Sequence, residues 1–435
     1  MKNILFFISL YIISLTSYAQ SADEKVAEAI NSGDFFLLDE RYSSLKEEMQ
    51  SPMLKTFSEA LLNAVLNRPQ QAVEYIDLLV ANHQDEIGFD NVKNMLGWQN
   101  GILFRMGEYC NVSERANSFL TQVAPHLDSA TVSGLTLGYK YYKSMCGEKK
   151  SELIRPDEDC VIPLYIEPIE IKGFRKGHLP YVPITINGKE ERFIFDTGCP
   201  GGLFLSEEYA NKFGVRTTLD SLIVNGVGGS GWGKMGILDS IIVGNMTFRN
   251  LTVTIVPPNN TVDTIIKINA VLGSDIMKYA GEVQIYPKEK KIVFPKDKTP
   301  LPATGRNMIM NSGDAFFVKV YSSKEQLMML LDTGDSSASL YPAYYQRHKE
   351  LVERNGKKES SLSGGFGGII ENDIYVIPSF PLKVGKKEFV MKDINVGVDF
   401  NPHSSRGEDG SLGMAFINLF DKVTISFDQM FVEVE

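Results

Sequence analysis

Two stretches of this chain, 136 residues apart, end an apolar run with the same three residues. The first, RFIFDTGCPGGLFL, carries Asp196, Thr197 and Gly198; the second, MMLLDTGDSSASLY, carries Asp332, Thr333 and Gly334. A chain this long meets one Asp-Thr-Gly by chance roughly one time in ten. Here the pair sits inside a longer repeat. LPYVPITINGKEERFIFDTG aligns with AFFVKVYSSKEQLMMLLDTG without a gap, and the GVGG starting at Gly226 faces the GFGG starting at Gly365. Val271-Leu272-Gly273 then faces Ser411-Leu412-Gly413, so the offset drifts only from 136 to 140. Duplicated units that associate about a pseudo-twofold axis bring equivalent positions face to face. The two Asp are equivalent positions, and paired carboxylates are what acid/base activation of a water requires.

The chain around this repeat is long enough, at 435 residues, for two or three domains. Its net charge of −10 argues against nucleic acid or an anionic membrane surface as partner. The first residues read as a targeting segment. Lys2 supplies a positive start, Ile4 to Leu15 an apolar core too short to span a bilayer, and Ser17-Tyr18-Ala19 a small-residue cleavage signal before Gln20. The mature chain is expected to be exported, to a bacterial periplasm or the medium, and no later segment has the length of a membrane helix.

Four Cys suit an oxidising compartment. Cys110 and Cys146 fall in one helical region and are the preferred disulfide pair. Cys160 and Cys199 either pair or leave Cys199 as a free thiol beside Asp196. Neither the Cys nor the five His show zinc-ligand spacing, so no metal is expected. Gly226, Gly228 and Gly231 satisfy GxGxxG, but that fingerprint needs a helix at once. Trp232-Gly233-Lys234 leads into a strand-like run instead, so no cofactor is expected.

Residues from about 22 to 147 are rich in Ala, Leu, Glu and Lys, with apolar positions recurring every three and four. Asp, Ser and Asn stand at cap positions. The segment NMLGWQNGILFRMGEYCNVSERANSFL is faintly like a tetratricopeptide hairpin, but no clean 34-residue period runs through the region, which reads as an antiparallel helical array. Near residue 150 the texture becomes β, with Asn187-Gly188 marking a hairpin turn. Segment 297–313 looks like a connector between two units of similar size.

From these motifs the chain resembles the pepsin/retropepsin superfamily of aspartic proteases, as a bacterial member with two retropepsin-like lobes in one polypeptide. The resemblance covers about 170–435. Together with the readings above it gives a multidomain protein: a signal peptide (1–19) and an all-α helical array (20–155), both outside the resemblance, then the all-β, bilobal, pepsin-like region of two lobes (156–298 and 299–435) that the resemblance implies. It implies an aspartic endopeptidase with Asp196 and Asp332 as the catalytic pair, one as general base and the other as general acid, without deciding which is which. Thr197 and Thr333 would bond across the pseudo-dyad, Gly198 and Gly334 would turn the backbone toward the carboxylates, and the apolar-apolar-Gly elements would cross beneath. The Gly-rich segments would form flaps over a peptide or protein substrate, with Gly228, Trp232 and Phe366 as flap residues; neither segment has the Tyr that pepsin-type enzymes carry there. The rival reading is a catalytically inactive peptide-binding or scaffold protein on the same fold. The helical region would dock a protein partner, shield the cleft or orient substrate. Cys199 and Asp335 stand where the superfamily usually has Ser, Thr or Ala, and an inward-facing Asp335 would push the dyad's upper titration higher.

Overall fold

The computed structural model describes residues 20–169, 177–258, 268–323, 325–399 and 408–435; the targeting segment 1–19 lies outside the described residues. N-terminal helices are followed by a mostly β region with several sheets. The chain divides into two compact units, one ending at Glu148 with the short piece Ile309–Ser312, the other holding Lys149–Met308 and Gly313–Glu435.

In the first unit each helix starts and stops for a local reason. Ser21 caps Ala22–Ser32 in a reciprocal box with Glu24, and Gly33 ends that helix in the left-handed conformation. Asp34, Ser51 and Asp128 accept backbone N–H groups at the starts of Phe35–Leu45, Pro52–Val65 and Ser129–Lys143. The run Pro69–Arg105 is two helices broken at Gly88, whose φ of 76° suits glycine best. Phe57, Leu61, Val65, Ile76, Leu79, Met95 and Val112 are wholly buried between these helices. Among the described residues no helix is long and apolar enough to cross a membrane.

Cys110 and Cys146 are bonded, closing a loop of 36 residues around the last two helices. Cross-linking a loop of this length removes denatured-state entropy worth about 3–4 kcal/mol. A reducing agent is therefore expected to lower the unfolding midpoint of the helical unit, read as a separate transition in a thermal melt. Cys160 and Cys199 are both free, so the alternative of a bond between them does not form. Cys160 donates instead to the Val243 carbonyl inside the β core.

The β unit starts where the composition changes, near residue 150. Strand Glu152–Ile154, within the stretch expected to close the helical array, pairs antiparallel with Met246–Val256. Its backbone is satisfied by a sheet edge, which outweighs the helix-friendly residues around it. Two large sheets and a smaller one follow. In the first, Gly177–Ile186 and Lys189–Phe195 form a hairpin whose turn is Asn187-Gly188, with φ of 51° and 73°. Both values are positive, as a type I′ turn demands. Val182, Ile184, Phe193 and Phe195 from this hairpin are wholly buried.

The second large sheet has the corresponding hairpin in Phe316–Ser322 and Gln326–Leu331. In each sheet the strand leading into Asp-Thr-Gly pairs in parallel with the strand of the apolar-apolar-Gly element, Ile194 opposite Val271 and Leu330 opposite Ser411. The smaller, five-stranded sheet joins both sequence halves, running Cys160–Pro163, Lys291–Phe294, Glu282–Tyr286, Val423–Ser426 and Phe431–Val434, with the halves meeting at the third and fourth strands. Phe294, Phe427 and Phe431 on its strands and turns are wholly buried.

Candidate active site

Asp196 and Asp332 each leave the end of a buried strand, and each backbone N–H is spent on the element crossing below: Asp196 N donates to Leu272 O at 3.1 Å, Asp332 N to Leu412 O at 3.0 Å. The two loops are then tied to each other. Thr197 N donates to Thr333 Oγ1 and Thr333 N to Thr197 Oγ1, both at 3.0 Å. The same hydroxyls donate onward, Thr197 Oγ1 to Leu331 O at 3.0 Å and Thr333 Oγ1 to Phe195 O at 2.6 Å. Both Thr are buried, with 1% and 0% exposure. Four buried hydrogen bonds therefore lock the strand ends together, and removal of either hydroxyl would orphan an N–H in the interior.

The glycines explain how the carboxyls meet. A Cβ on Gly334 would lie 2.5 Å from Asp196 Oδ2, and one on Gly198 would lie 2.7 Å from Asp332 Oδ2 with the Asp332 Cγ closer still. Each carboxyl thus rests against the opposite loop's glycine, where no other residue leaves room. Gly198 N donates to Asp196 Oδ1 at 2.8 Å, and Asp335 N to Asp332 Oδ1 at 3.1 Å.

The two carboxyls are densely surrounded but keep some surface open, and they are hydrogen-bonded to each other. Burial drives both upward from the ordinary carboxylate range. For Asp332 the negative charges of Asp196 and Asp335 add to burial, and it is held well above that range. For Asp196 burial is opposed by the Gly198 N–H, then by the hydrogen bond from Asp332 and the N–H groups of Cys199 and Gly334. Since the two sites share one titration, the half-titrated pair holds one proton and one negative charge between them.

Cys199 borders this pair. Burial, and then the charges of Asp196 and Asp332, push its thiol well up, so it stays a neutral thiol. Asp335 does face inward, and its charge is one of the causes that raise Asp332. Its own carboxylate is held by Ser337 N and Oγ, both at 2.8 Å on Oδ1, and by Ser411 Oγ at 2.7 Å on Oδ2. Sequence reasoning singled out Asp335 but not these serines. The repeat alignment held the signal, since it sets Ser411 opposite Val271. Asp275, whose counterpart in the second half is Ala415, sits just past Gly273 and pairs with Lys278 at 2.5 Å.

The Gly-rich segments form two long hairpins, Arg216–Gly226 with Gly229–Val243 and Lys357–Gly365 with Gly368–Val384. Their tips interlock. Gly228 N donates to Phe366 O at 3.1 Å. A Cβ on Gly228 would strike the Gly368 backbone, and one on Gly231 would come within 3.0 Å of Phe366 Cζ. Phe366 thus grips the opposite tip, whereas Trp232 is 58% exposed on its strand. Among the described residues no group of three His, Cys, Asp or Glu could hold a metal ion.

The aspartyl protease family model matches residues 182–276, a span that includes Asp196, the first Gly-rich hairpin and Val271–Gly273. The match supports the expected superfamily and an aspartic-type hydrolase domain. No curated protein matches. Among solved structures the chain is similar to conglutin gamma, a basic 7S globulin from lupine seeds, at 10% identity over 63% of this chain and 94% of that one, TM-score 0.39. It is similar to basic 7S globulin from soybean at 11% identity, 64% and 94% coverage and TM-score 0.38. A retropepsin-like aspartic protease from Rickettsia conorii matches at 17% identity, over 33% of this chain and 92% of that one, TM-score 0.21.

Proposed function

We propose that this chain is an exported aspartic endopeptidase whose two β halves are duplicated lobes, with Asp196 and Asp332 as its catalytic pair. The observation that carries the reading is the reciprocal crossing of the two loops: Thr197 and Thr333 bonded to each other's backbone, and each glycine packed on the opposite carboxyl. A buried pair that shares one proton can act as base and acid in the same step.

In that step a water between the carboxyls gives a proton to ionised Asp196 while its oxygen attacks the peptide carbonyl. Neutral Asp332 donates its proton to the carbonyl oxygen, and a neutral tetrahedral diol forms. Asp196 then hands the captured proton to the amide nitrogen, Asp332 takes a proton back from a diol hydroxyl, and the C–N bond breaks. No covalent bond to the protein forms, and the pair returns to its starting state. Substrate would lie as an extended strand, held by main-chain hydrogen bonds, with the two Gly-rich hairpins closing over it. The helical unit would orient substrate or dock a protein partner.

Incubation with a mixed-sequence peptide library between pH 3 and 7 tests the reading. Cuts at internal bonds are expected; capture of peptides without any cut would replace the protease by a binding protein on the same fold. The pH profile carries a further expectation. Asp332 must be protonated to act as acid, and the Asp335 charge favours its protonated form. Removing that charge in Asp335→Asn lowers the pH at which Asp332 loses its proton. The alkaline limb of kcat against pH should therefore move toward lower pH, and an unmoved limb would show that Asp335 does not act on the pair.

A further inference from the structure

Three register-equivalent positions beside the pair differ in chemistry between the two halves. The residue following Asp-Thr-Gly is Cys199 in one half and Asp335 in the other. The residue opposite the Asp-bearing strand is Val271 in one, Ser411 in the other. The antiparallel partner of that residue is Phe204 in one, Ser339 in the other. On the first side the set is apolar: Val271 packs in a cluster with Leu179 and Ile194, against which Cys199, Phe204 and Tyr181 rest half-buried. On the second side the set is a hydroxyl-lined carboxylate. Ser337 and Ser411 hold Asp335, and Ser337 Oγ lies 3.2 Å from Ser339 Oγ.

A carboxylate needs a cation more than it needs serines. Among the described residues the Asp335 carboxylate meets only these hydroxyl and N–H donors and no Lys, Arg or His. Asp335, Ser337 and Ser339 also keep partial exposure. A charged group beside a substrate-activating pair, half open and with no cation on it among the described residues, is suited to meet its cation on the substrate.

We propose that the cleft is chemically two-sided: it takes a large apolar side chain on the Val271 side of the scissile bond and the cationic side chain of Lys or Arg on the Asp335 side. This rests on the protease reading, since it names the substrate class of that same site.

The test uses N-acetylated peptides, so that the Lys side chain is the only difference in charge between partners. They are identical except for Lys or norleucine beside the scissile bond with Phe across it, and both orders are made. Each peptide is also prepared with a reduced, uncleavable central bond, so that binding is read apart from hydrolysis. With the full chain at pH 6, the Lys peptide in one order should be cleaved, and its reduced analogue bound, at least about tenfold better than its norleucine partner. In Asp335→Asn that ratio should fall to about twofold or less, and Ser411→Ala should weaken it.

Equal handling of Lys and norleucine by the unaltered chain in both orders overturns the proposal, and this needs no variant to fold. A ratio that survives in Asp335→Asn overturns it as well. Cleavage without charge preference removes the subsite and leaves the protease. Selective binding of the reduced Lys peptide without cleavage of its normal counterpart removes the protease and leaves the subsite.

Discussion

Asp196→Asn is expected to lower kcat for peptide hydrolysis by at least about a thousandfold, the scale of losing a general base that nothing else replaces. The amide is nearly the size of the carboxylate and accepts the Gly198 N–H as Asp196 does, so the loops need not move. What goes is the charge. Asn cannot take a proton from water, and Asp332 loses the neighbour that helps to hold its proton above the carboxylate range. Steady-state kinetics on one cleaved peptide, beside an unfolding curve, check this. A variant that keeps its unfolding midpoint and also keeps more than a tenth of its activity would remove Asp196 from the mechanism.

The second large effect comes from a single methyl group. Gly198→Ala places a Cβ against the Asp332 carboxyl, with Oδ2 at 2.7 Å and Cγ nearer. Asp332 cannot retreat, because its N–H is bonded to Leu412 O and the next residue is locked through Thr333. Either the carboxyls separate or the Thr crossing loosens. Misplacing a reacting group by about 1 Å costs roughly a hundredfold, and overpacking a rigid site costs about 1–3 kcal/mol. We expect kcat to fall at least about a hundredfold with a drop of several degrees in the unfolding midpoint. Full activity in Gly198→Ala would mean that the two carboxyls do not work as a touching pair.

The parts of this fold legible in the sequence were those set by short-range chemistry. Asn187-Gly188 announces its turn because few other residue pairs adopt two positive φ values. The caps at Ser21, Asp34 and Ser51 are local acceptors at the required spacing. The repeat made equivalent positions visible, and so the meeting of Asp196 with Asp332 could be expected. The Thr crossing that makes them meet was implied only by the family resemblance. The Thr197–Thr333 bonds join residues far apart in the chain, and nothing in either tripeptide alone says which backbone its hydroxyl will find. The hairpin tips are a similar case: each reads as a Gly-rich turn, while the grip of Phe366 on Gly226 and Gly231 belongs to neither segment by itself. The change of texture near residue 150 is legible, whereas the three-residue strand Glu152–Ile154 takes its stability from a partner near residue 250.

The five-stranded sheet, with strands from both halves side by side, has a consequence for how the protein behaves when it is scarce. An assembly of two separate chains falls apart on dilution and its chemistry disappears with it. Here the halves are covalently one and stitched by shared strands, so specific activity should be the same at nanomolar as at micromolar concentration. One chain also lets each half mutate alone, a freedom denied to identical subunits, and Cys199 standing where the other half has Asp335 is such a difference.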